Sequence, residues 1–295
     1  MGAKRRVVIV GAGGRLGAAL AREYARDAEV MAFNHAQLDL GRPERLQSTL
    51  GTLPFDALIN AAALTNVDYC ENHRAEAMQL NAEAPRVQAE ICAEKNARFV
   101  QVSTDYVFDG EKNAPYTEDD PADPISVYGE SKREGELRAL AVNQQALVVR
   151  VSWVFGPDRA SFVDAILKKA RNEEQVAAVA DKFSTPTYTR DIAEMLRPTV
   201  AGVGDPGYRG ILHFANRGEC SWQEYAQWAL DCCLAEGLSV KARTIGASSL
   251  AEMKSFIAKR PVYSVLSSAK YEALTGEAPR PWQEAVRDYV RDYFL

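Results

Sequence analysis

A glycine-rich turn near the N-terminus constrains the fold of this chain more than any other feature. The β-branched run Arg6–Val10 leads directly into Gly11-Ala-Gly-Gly-Arg-Leu-Gly17, and a helical apolar pattern follows. Glycines there permit a tight turn, close approach of a pyrophosphate to the backbone, and close packing of the helix on the strand. The pattern favours dinucleotide binding over a purely structural turn, with these candidate cofactor contacts: Gly11, Gly13, Gly14, Arg15, Leu16 and Gly17.

Short β-branched runs and helical patterns alternate through the first half of the chain. The predicted strands are Arg6–Val10, Glu29–Phe33, Ala57–Asn60, 99–103 and 146–151. A crossover helix after each strand implies parallel strands covered on both faces. The sequence therefore predicts an α/β fold of the Rossmann type, with a doubly wound parallel sheet.

The pattern loosens after residue 155, which indicates a second structural unit. We predict an NAD(P)-binding Rossmann domain over residues 1–155 and, over 156–295, mainly a smaller C-terminal substrate lobe with some segments returning to the sheet. Helices are expected over 161–172, 189–200 and 221–234, and short strands over 176–180 and 211–214. Ser221 and Glu224 have the spacing of a capping box.

Composition excludes several functional classes. A net charge of -5 argues against a nucleic-acid partner. Only four consecutive apolar residues, Val7 to Val10, precede the first glycine of the turn, too few for a signal segment or a membrane span, so we expect a cytoplasmic protein. We further expect a monomer or homodimer. The five cysteines contain no Cys-x-x-Cys pair, so neither a disulfide framework nor a metal site is predicted.

The end of the second strand bears on the choice of cofactor. It reads Phe33-Asn-His35, without the carboxylate that holds the ribose hydroxyls in NAD-specific enzymes. A 2′-phosphate is therefore not repelled, which favours NADPH, with NADH as the alternative. Arg15 and His35 are candidate ligands for that phosphate, and solvated polar side chains are the other interpretation.

Three residues form the candidate catalytic group. Thr104 follows Val102 and Ser103 at the end of the fourth strand, and Tyr128 and Lys132 lie four residues apart at the start of a predicted helix. Residues at that spacing share a helix face, so we expect the ammonium to lower the pKa of the phenol. Tyr128 would act as acid, Thr104 would orient the substrate oxygen, and Lys132 would hold the cofactor ribose, so Tyr128 and Lys132 are also candidate cofactor contacts. The polar loop 109–124 is expected to cover this site.

Several longer runs resemble the extended short-chain dehydrogenase/reductase family. They are the glycine turn, residues 60–71 (Asn-Ala-Ala-Ala-Leu-Thr-Asn-Val-Asp-Tyr-Cys-Glu), 102–110 (Val-Ser-Thr-Asp-Tyr-Val-Phe-Asp-Gly), 128–132, 150–156 and Pro186-Thr187. The resemblance implies reduction of the 4-keto group of a nucleotide-linked 6-deoxysugar by NADPH. It also implies cofactor contacts from Asp39, Leu40, Ala61, Ala62 and Ala63, and substrate contacts from Thr65, Val67, Thr104, Asp105, Tyr106, Tyr128 and Trp153.

Two segments of the second half depart from the family pattern. Residues 181–187 read Asp-Lys-Phe-Ser-Thr-Pro-Thr, with Ser184 where glycine is usual, and Tyr263 stands where asparagine is more usual. Arg260 is predicted to pair with the substrate diphosphate or to cap a helix over 255–259. Two other functions stay open: a sibling nucleotide-sugar reductase or epimerase, and a non-catalytic NADP-binding regulatory subunit.

Overall fold

A computed structural model describes residues 4–201 and 207–294 of the chain. Its strands are β1 (Arg6–Val10), β2 (Glu29–Phe33), β3 (Ala57–Asn60), β4 (Arg98–Thr104), β5 (Leu147–Val151), β6 (Val154–Phe155), β7 (Val176–Val179), β8 (Phe183–Ser184), β9 (Thr187–Tyr188), β10 (Gly210–His213), β11 (Cys220–Ser221) and β12 (Ile245–Ser248). Its α-helices are α1 (Arg15–Tyr24), α2 (Pro43–Leu50), α3 (Val67–Asn72), α4 (Arg74–Met78), α5 (Ala84–Glu94), α6 (Val127–Val142), α7 (Phe162–Asn172), α8 (Thr189–Ala201), α9 (Trp222–Ala235), α10 (Ala269–Thr275) and α11 (Trp282–Phe294).

The central sheet has six parallel strands in the order β2-β1-β3-β4-β5-β10. This confirms the predicted α/β fold and its five strands. The strand order reverses between β1 and β3, and open α/β sheets bind ligands at the carboxyl ends of the strands beside such a switch point. Gly11 follows β1, Ala61 follows β3 and Thr104 ends β4. The predicted cofactor and catalytic residues therefore lie along one edge of the sheet.

Both faces of the sheet are buried, as a parallel sheet requires. Along β1, Val7 and Ile9 pack into the apolar layer that α1 and α8 share, whereas Val8 and Val10 pack into the layer formed by α2 and α5. The Tyr24 hydroxyl at the end of α1 donates a hydrogen bond of 2.8 Å to the Ala193 carbonyl of α8. Helix α8 from the second half of the chain thus covers the sheet next to the glycine turn.

The second half also builds a smaller core of its own. Helices α7, α9 and α11 surround an aromatic-rich cluster, flanked by the strand pairs β6·β9, β7·β12 and β8·β11. The three predicted helices are confirmed, and the capping box is present: the Glu224 amide donates to Ser221 Oγ at 3.1 Å. Helix α8 and strand β10 return to the main sheet, in the manner expected. The division at residue 155 stays a prediction.

Candidate active site

Thr104, Tyr128 and Lys132 come together at the carboxyl end of β4. All three side chains are buried, and a side-chain hydrogen bond joins Thr104 to the Tyr128 phenol. The Lys132 ammonium donates a hydrogen bond of 2.7 Å to the Val102 carbonyl, two residues before Thr104 in β4. The three predicted catalytic groups thus share one site although they come from two separate elements.

The start of α6 is held in place by three features. Ser126 caps the helix, because its hydroxyl accepts the Gly129 amide at 3.2 Å, and Glu71 of α3 accepts the Val127 amide at 2.9 Å. A Cβ on Gly129 would lie 2.1 Å from the Tyr106 carbonyl oxygen, so only glycine lets the helix approach the turn after β4 this closely. These contacts fix the position of the Tyr128 phenol relative to Thr104.

The electrostatics of the pair differ from the sequence expectation. Burial raises the pKa of Tyr128 above that of a free phenol, and the hydrogen bond with Thr104 opposes this only in part. The expected lowering of that pKa by Lys132 is therefore wrong. Burial also lowers the pKa of Lys132 to about 8, against the attraction of Glu136. At neutral pH, Tyr128 is a phenol that retains its proton.

A buried ion pair supports the site from behind. Glu136 of α6 accepts two hydrogen bonds of 2.8 Å from the Arg150 guanidinium of β5 and one of 2.6 Å from the Ser103 hydroxyl. Both side chains of the ion pair are almost completely inaccessible to solvent. Sequence reasoning missed this pair, although its signal was present: Glu136 follows Tyr128 and Lys132 at successive steps of four residues.

The glycine turn has the properties of a phosphate-binding loop. Gly11 has a φ of +91°, and a Cβ on it would lie 2.7 Å from the Ala62 amide nitrogen. Helix α1 begins after Gly14, which provides no side-chain cap, and its first turn contains no acidic residue. Free amide groups at such a helix start attract anions, so the loop fits the pyrophosphate of a dinucleotide. Leu16 and Gly17 are buried in the first turn of α1.

The two candidate ligands of a 2′-phosphate occupy different surroundings. The Arg15 guanidinium donates to three carbonyls of the segment after β5, those of Val154, Arg159 and Ala160, at 3.0, 3.0 and 2.5 Å. It therefore links that segment to the glycine turn. His35 is exposed beyond the end of β2. Their contacts with phosphate stay predictions.

The residues assigned to the cofactor by resemblance lie on the same edge of the sheet. Asp39 is half-buried and accepts the Gly41 amide at 2.9 Å, and Leu40 belongs to the core against α2. Residues 61–63 continue β3 as a half-buried extended segment beside the glycine turn. Their contacts with the cofactor stay predictions.

The candidate substrate residues form two groups. Val67, Tyr106 and Tyr128 pack in one cluster, with the Tyr106 and Tyr128 rings edge to face at 5.7 Å between centroids. Trp153 belongs to a separate aromatic cluster with Phe162 and Trp222, and its backbone has a φ of +41°. Such a conformation is rare for a bulky residue and is concentrated at functional sites. Thr65 is exposed just before α3.

Arg260 forms an ion pair within the chain. Its guanidinium forms two hydrogen bonds with the Asp68 carboxylate at 3.0 and 2.7 Å and lies 3.6 Å from the centroid of the Phe256 ring. Residues 255–259 form no helix, so the predicted helix cap is wrong. The Arg260 guanidinium, together with the Ala258 and Ile257 amides, holds the pKa of the Asp68 carboxyl far below its usual value. Any contact of Arg260 with a diphosphate would compete with Asp68.

Comparison with known proteins agrees with this geometry. The model of the RmlD substrate-binding domain family matches residues 5–294. The chain belongs to this family. It is 34% identical over 292 residues to the dTDP-4-dehydrorhamnose reductase of Aggregatibacter actinomycetemcomitans, covering 98% of this chain and 99% of the relative. It is 37% identical over 290 residues to a probable dTDP-4,6-dihydroxy-2-methyloxan-3-one 4-ketoreductase of Streptomyces antibioticus, covering 97% and 95%.

A solved structure of the family extends the comparison to three dimensions. The dTDP-4-dehydrorhamnose reductase of Bacillus anthracis, crystallised in complex with NADP, superposes with a TM-score of 0.90 at 28% identity. The alignment covers 98% of this chain and 100% of that one. The family resemblance inferred from the sequence motifs is thereby confirmed over nearly the whole chain.

Proposed function

We propose that this protein uses NADPH to reduce the 4-keto group of dTDP-4-dehydro-L-rhamnose, forming dTDP-L-rhamnose. The observation that carries the proposal is the meeting of Thr104, Tyr128 and Lys132 at the carboxyl end of β4, on the same sheet edge as the glycine turn, where this fold binds ligands. The names of the relatives, and the NADP in the Bacillus anthracis enzyme, support the choice of substrate and cofactor.

The proposed cofactor residues divide between the two sides of the switch point. The turn from Gly11 to Gly17 would hold the pyrophosphate through the start of α1, and His35, Asp39, Leu40 and residues 61–63 would line the adenosine side. NADPH supplies a hydride when it is bound. Tyr128 and Lys132 would contact the nicotinamide end of the cofactor, next to the position proposed for the sugar.

The chemistry required of the protein is proton transfer to one oxygen. When hydride adds to C4 of the sugar, the carbonyl electron pair moves onto the oxygen, and Tyr128 donates its phenolic proton there. The raised pKa of Tyr128 keeps that proton in place at neutral pH until negative charge develops. Lys132, on the same face of α6, stabilises the phenolate that remains, and Thr104 orients the reacting oxygen.

A second candidate substrate is another dTDP-linked 4-keto sugar. The similarity to the Streptomyces antibioticus ketoreductase favours it, as do the two departures from the family pattern. Ser184 pairs with Cys220 across β8 and β11, and the Tyr263 hydroxyl donates to the Glu219 carboxylate. Both departures lie in the half of the chain proposed to select the sugar. Tyr128, Thr104 and Lys132 would act in the same way on either substrate.

We expect the wild-type protein to oxidise NADPH when dTDP-4-dehydro-L-rhamnose is added. Loss of the reduced nicotinamide absorbance gives the rate, and NADH in place of NADPH gives the cofactor preference, which we expect to favour NADPH. Other dTDP-linked 4-keto sugars, assayed in parallel, decide between the two candidates by kcat/KM. A folded protein that binds NADPH but reduces none of them would support the regulatory-subunit alternative and overturn the proposal.

We further propose a cytoplasmic enzyme that acts as a monomer or homodimer. All five cysteines are buried and free, which fits a reducing compartment. Within residues 4–201 and 207–294, no helix is long and apolar enough to cross a membrane.

A further inference from the structure

Two amide side chains lie at the carboxyl edge of an apolar sheet face. On this face, Leu58 of β3 and Phe99 of β4 pack into the layer formed by α2 and α5. Side chains alternate between the faces of a strand, so two residues further along the same face presents Asn60 and Gln101. These residues are opposite each other in the register of the two strands, and their exposure is 0% and 2%. A buried amide destabilises a protein unless its hydrogen bonds are made, so both side chains require partners.

One chain of hydrogen bonds connects the two amides to Lys132. Asn60 Oδ1 accepts from the Ala62 amide at 3.2 Å, and Asn60 Nδ2 donates to Gln101 Oε1 at 2.8 Å. Gln101 Nε2 then donates to the Val102 carbonyl at 2.8 Å. The same carbonyl accepts the bond of 2.7 Å from the Lys132 ammonium. The Val102 carbonyl therefore has two donors, one from Gln101 and one from Lys132.

The two ends of this chain fix the orientation of both amides. The Ala62 backbone N–H can only donate, so it requires the oxygen of Asn60 and leaves the NH₂ group of Asn60 for Gln101. Gln101 then has to accept with its oxygen, which directs its own NH₂ group to Val102. That carbonyl can only accept, so both ends match. A flipped Gln101 amide would place one oxygen against another. Gln101 therefore presents a donor to the Val102 carbonyl.

The chain joins two parts of the proposed active site. At one end, Ala62 lies against the glycine turn, since a Cβ on Gly11 would be 2.7 Å from its amide nitrogen. At the other end is the Lys132 ammonium, whose flexible side chain is anchored by the bond to Val102. The pairing of β3 with β4 ends at Gln101, so beyond that point side chains make the connection between the two segments.

We propose that Gln101 is a positioning residue, whose amide holds the Val102 carbonyl in the orientation that anchors the Lys132 ammonium. The inference rests on the proposed function, in which Lys132 stabilises the Tyr128 phenolate and holds the cofactor ribose. An ammonium has three protons, and the bond to Val102 commits one of them and so directs the other two. The sequence motifs assigned Gln101 no role beyond its place in a strand.

The decisive experiment is a double-mutant cycle of Gln101→Met and Lys132→Met. Methionine keeps the length of the glutamine side chain but removes the amide donor. We expect Gln101→Met to lower kcat about tenfold in the wild-type background, because a misplaced group loses much of its effect on the rate. In the Lys132→Met background it should change the rate less than about twofold, since the group on which it acts is gone. Single-turnover assays with excess enzyme measure the slow variants.

Gln88→Met is the matched control. Gln88 of α5 is also completely buried, but within residues 4–201 and 207–294 neither atom of its amide has a hydrogen-bond partner. The change removes a buried amide without breaking a hydrogen bond, so the variant should keep the wild-type kcat. Circular dichroism shows whether each variant is folded. Should Gln101→Met fail to fold, Gln101→Leu also removes the donor and should give the same cycle.

Two outcomes would overturn the inference. One is wild-type kcat in a folded Gln101→Met variant. The other is an equal loss of rate with and without Lys132, which would show that Gln101 only supports the sheet. A wild-type protein that reduces no sugar would contradict the proposed function instead. The same cycle is then measured by the Kd for NADPH in fluorescence titrations, and Gln101→Met should raise that Kd about threefold only while Lys132 is present.

Discussion

Replacing Tyr128 with phenylalanine is expected to lower kcat by about 100-fold or more, the range for losing a general acid. The change removes one oxygen and leaves the ring in the cluster with Val67 and Tyr106. Cofactor binding should persist, because the glycine turn lies on other elements. Steady-state rates and NADPH titration by fluorescence would measure the two effects separately.

Tyr24→Phe is a matched control for that variant. Tyr24 is also a buried tyrosine, but its hydroxyl donates to Ala193 between α1 and α8. The Tyr24→Phe change should lower the free energy of unfolding by on the order of 1 kcal/mol and leave kcat unchanged. Equal rates for Tyr128→Phe and wild type would show that another group supplies the proton.

Glu136→Gln is expected to reduce the free energy of unfolding by about 3–5 kcal/mol, as when a buried ion pair loses one partner. Arg150 would remain buried with its charge uncompensated, and an amide NH₂ would face guanidinium donors in place of one carboxylate oxygen. Denaturant unfolding followed by circular dichroism would measure the loss.

Glu134→Gln provides the comparison on the same helix. Glu134 pairs with Arg138 at 2.7 Å, but both side chains are more than a third exposed. Such surface pairs contribute at most about 1 kcal/mol. If the two variants lost the same stability, the buried pair would have no special importance behind the active site.

The part of the structure predicted from sequence is the part governed by local rules. The strands β1 to β5 followed from β-branched runs, and the helix starting at Ser221 followed from its capping box. Tyr128 and Lys132 were predicted to share a helix face because four residues make about one turn. These features depend on neighbours in sequence.

The features missed by sequence depend on contacts between distant segments. Lys182 meets Pro261, Arg260 meets Asp68, and Glu136 meets Arg150 only once the sheet and the second half have assembled. The pKa of Tyr128 was predicted in the wrong direction because the spacing to Lys132 was visible in the sequence, whereas the burial of the phenol was not.

The most direct test of the account follows the hydride itself. NADPH carrying deuterium at the transferable nicotinamide position is incubated with the wild-type protein and dTDP-4-dehydro-L-rhamnose, and the product is examined by mass spectrometry and proton NMR. The account predicts dTDP-L-rhamnose with one deuterium bonded to C4, and almost none from Tyr128→Phe in the same time. Unlabelled product, or deuterium at a carbon other than C4, would contradict it.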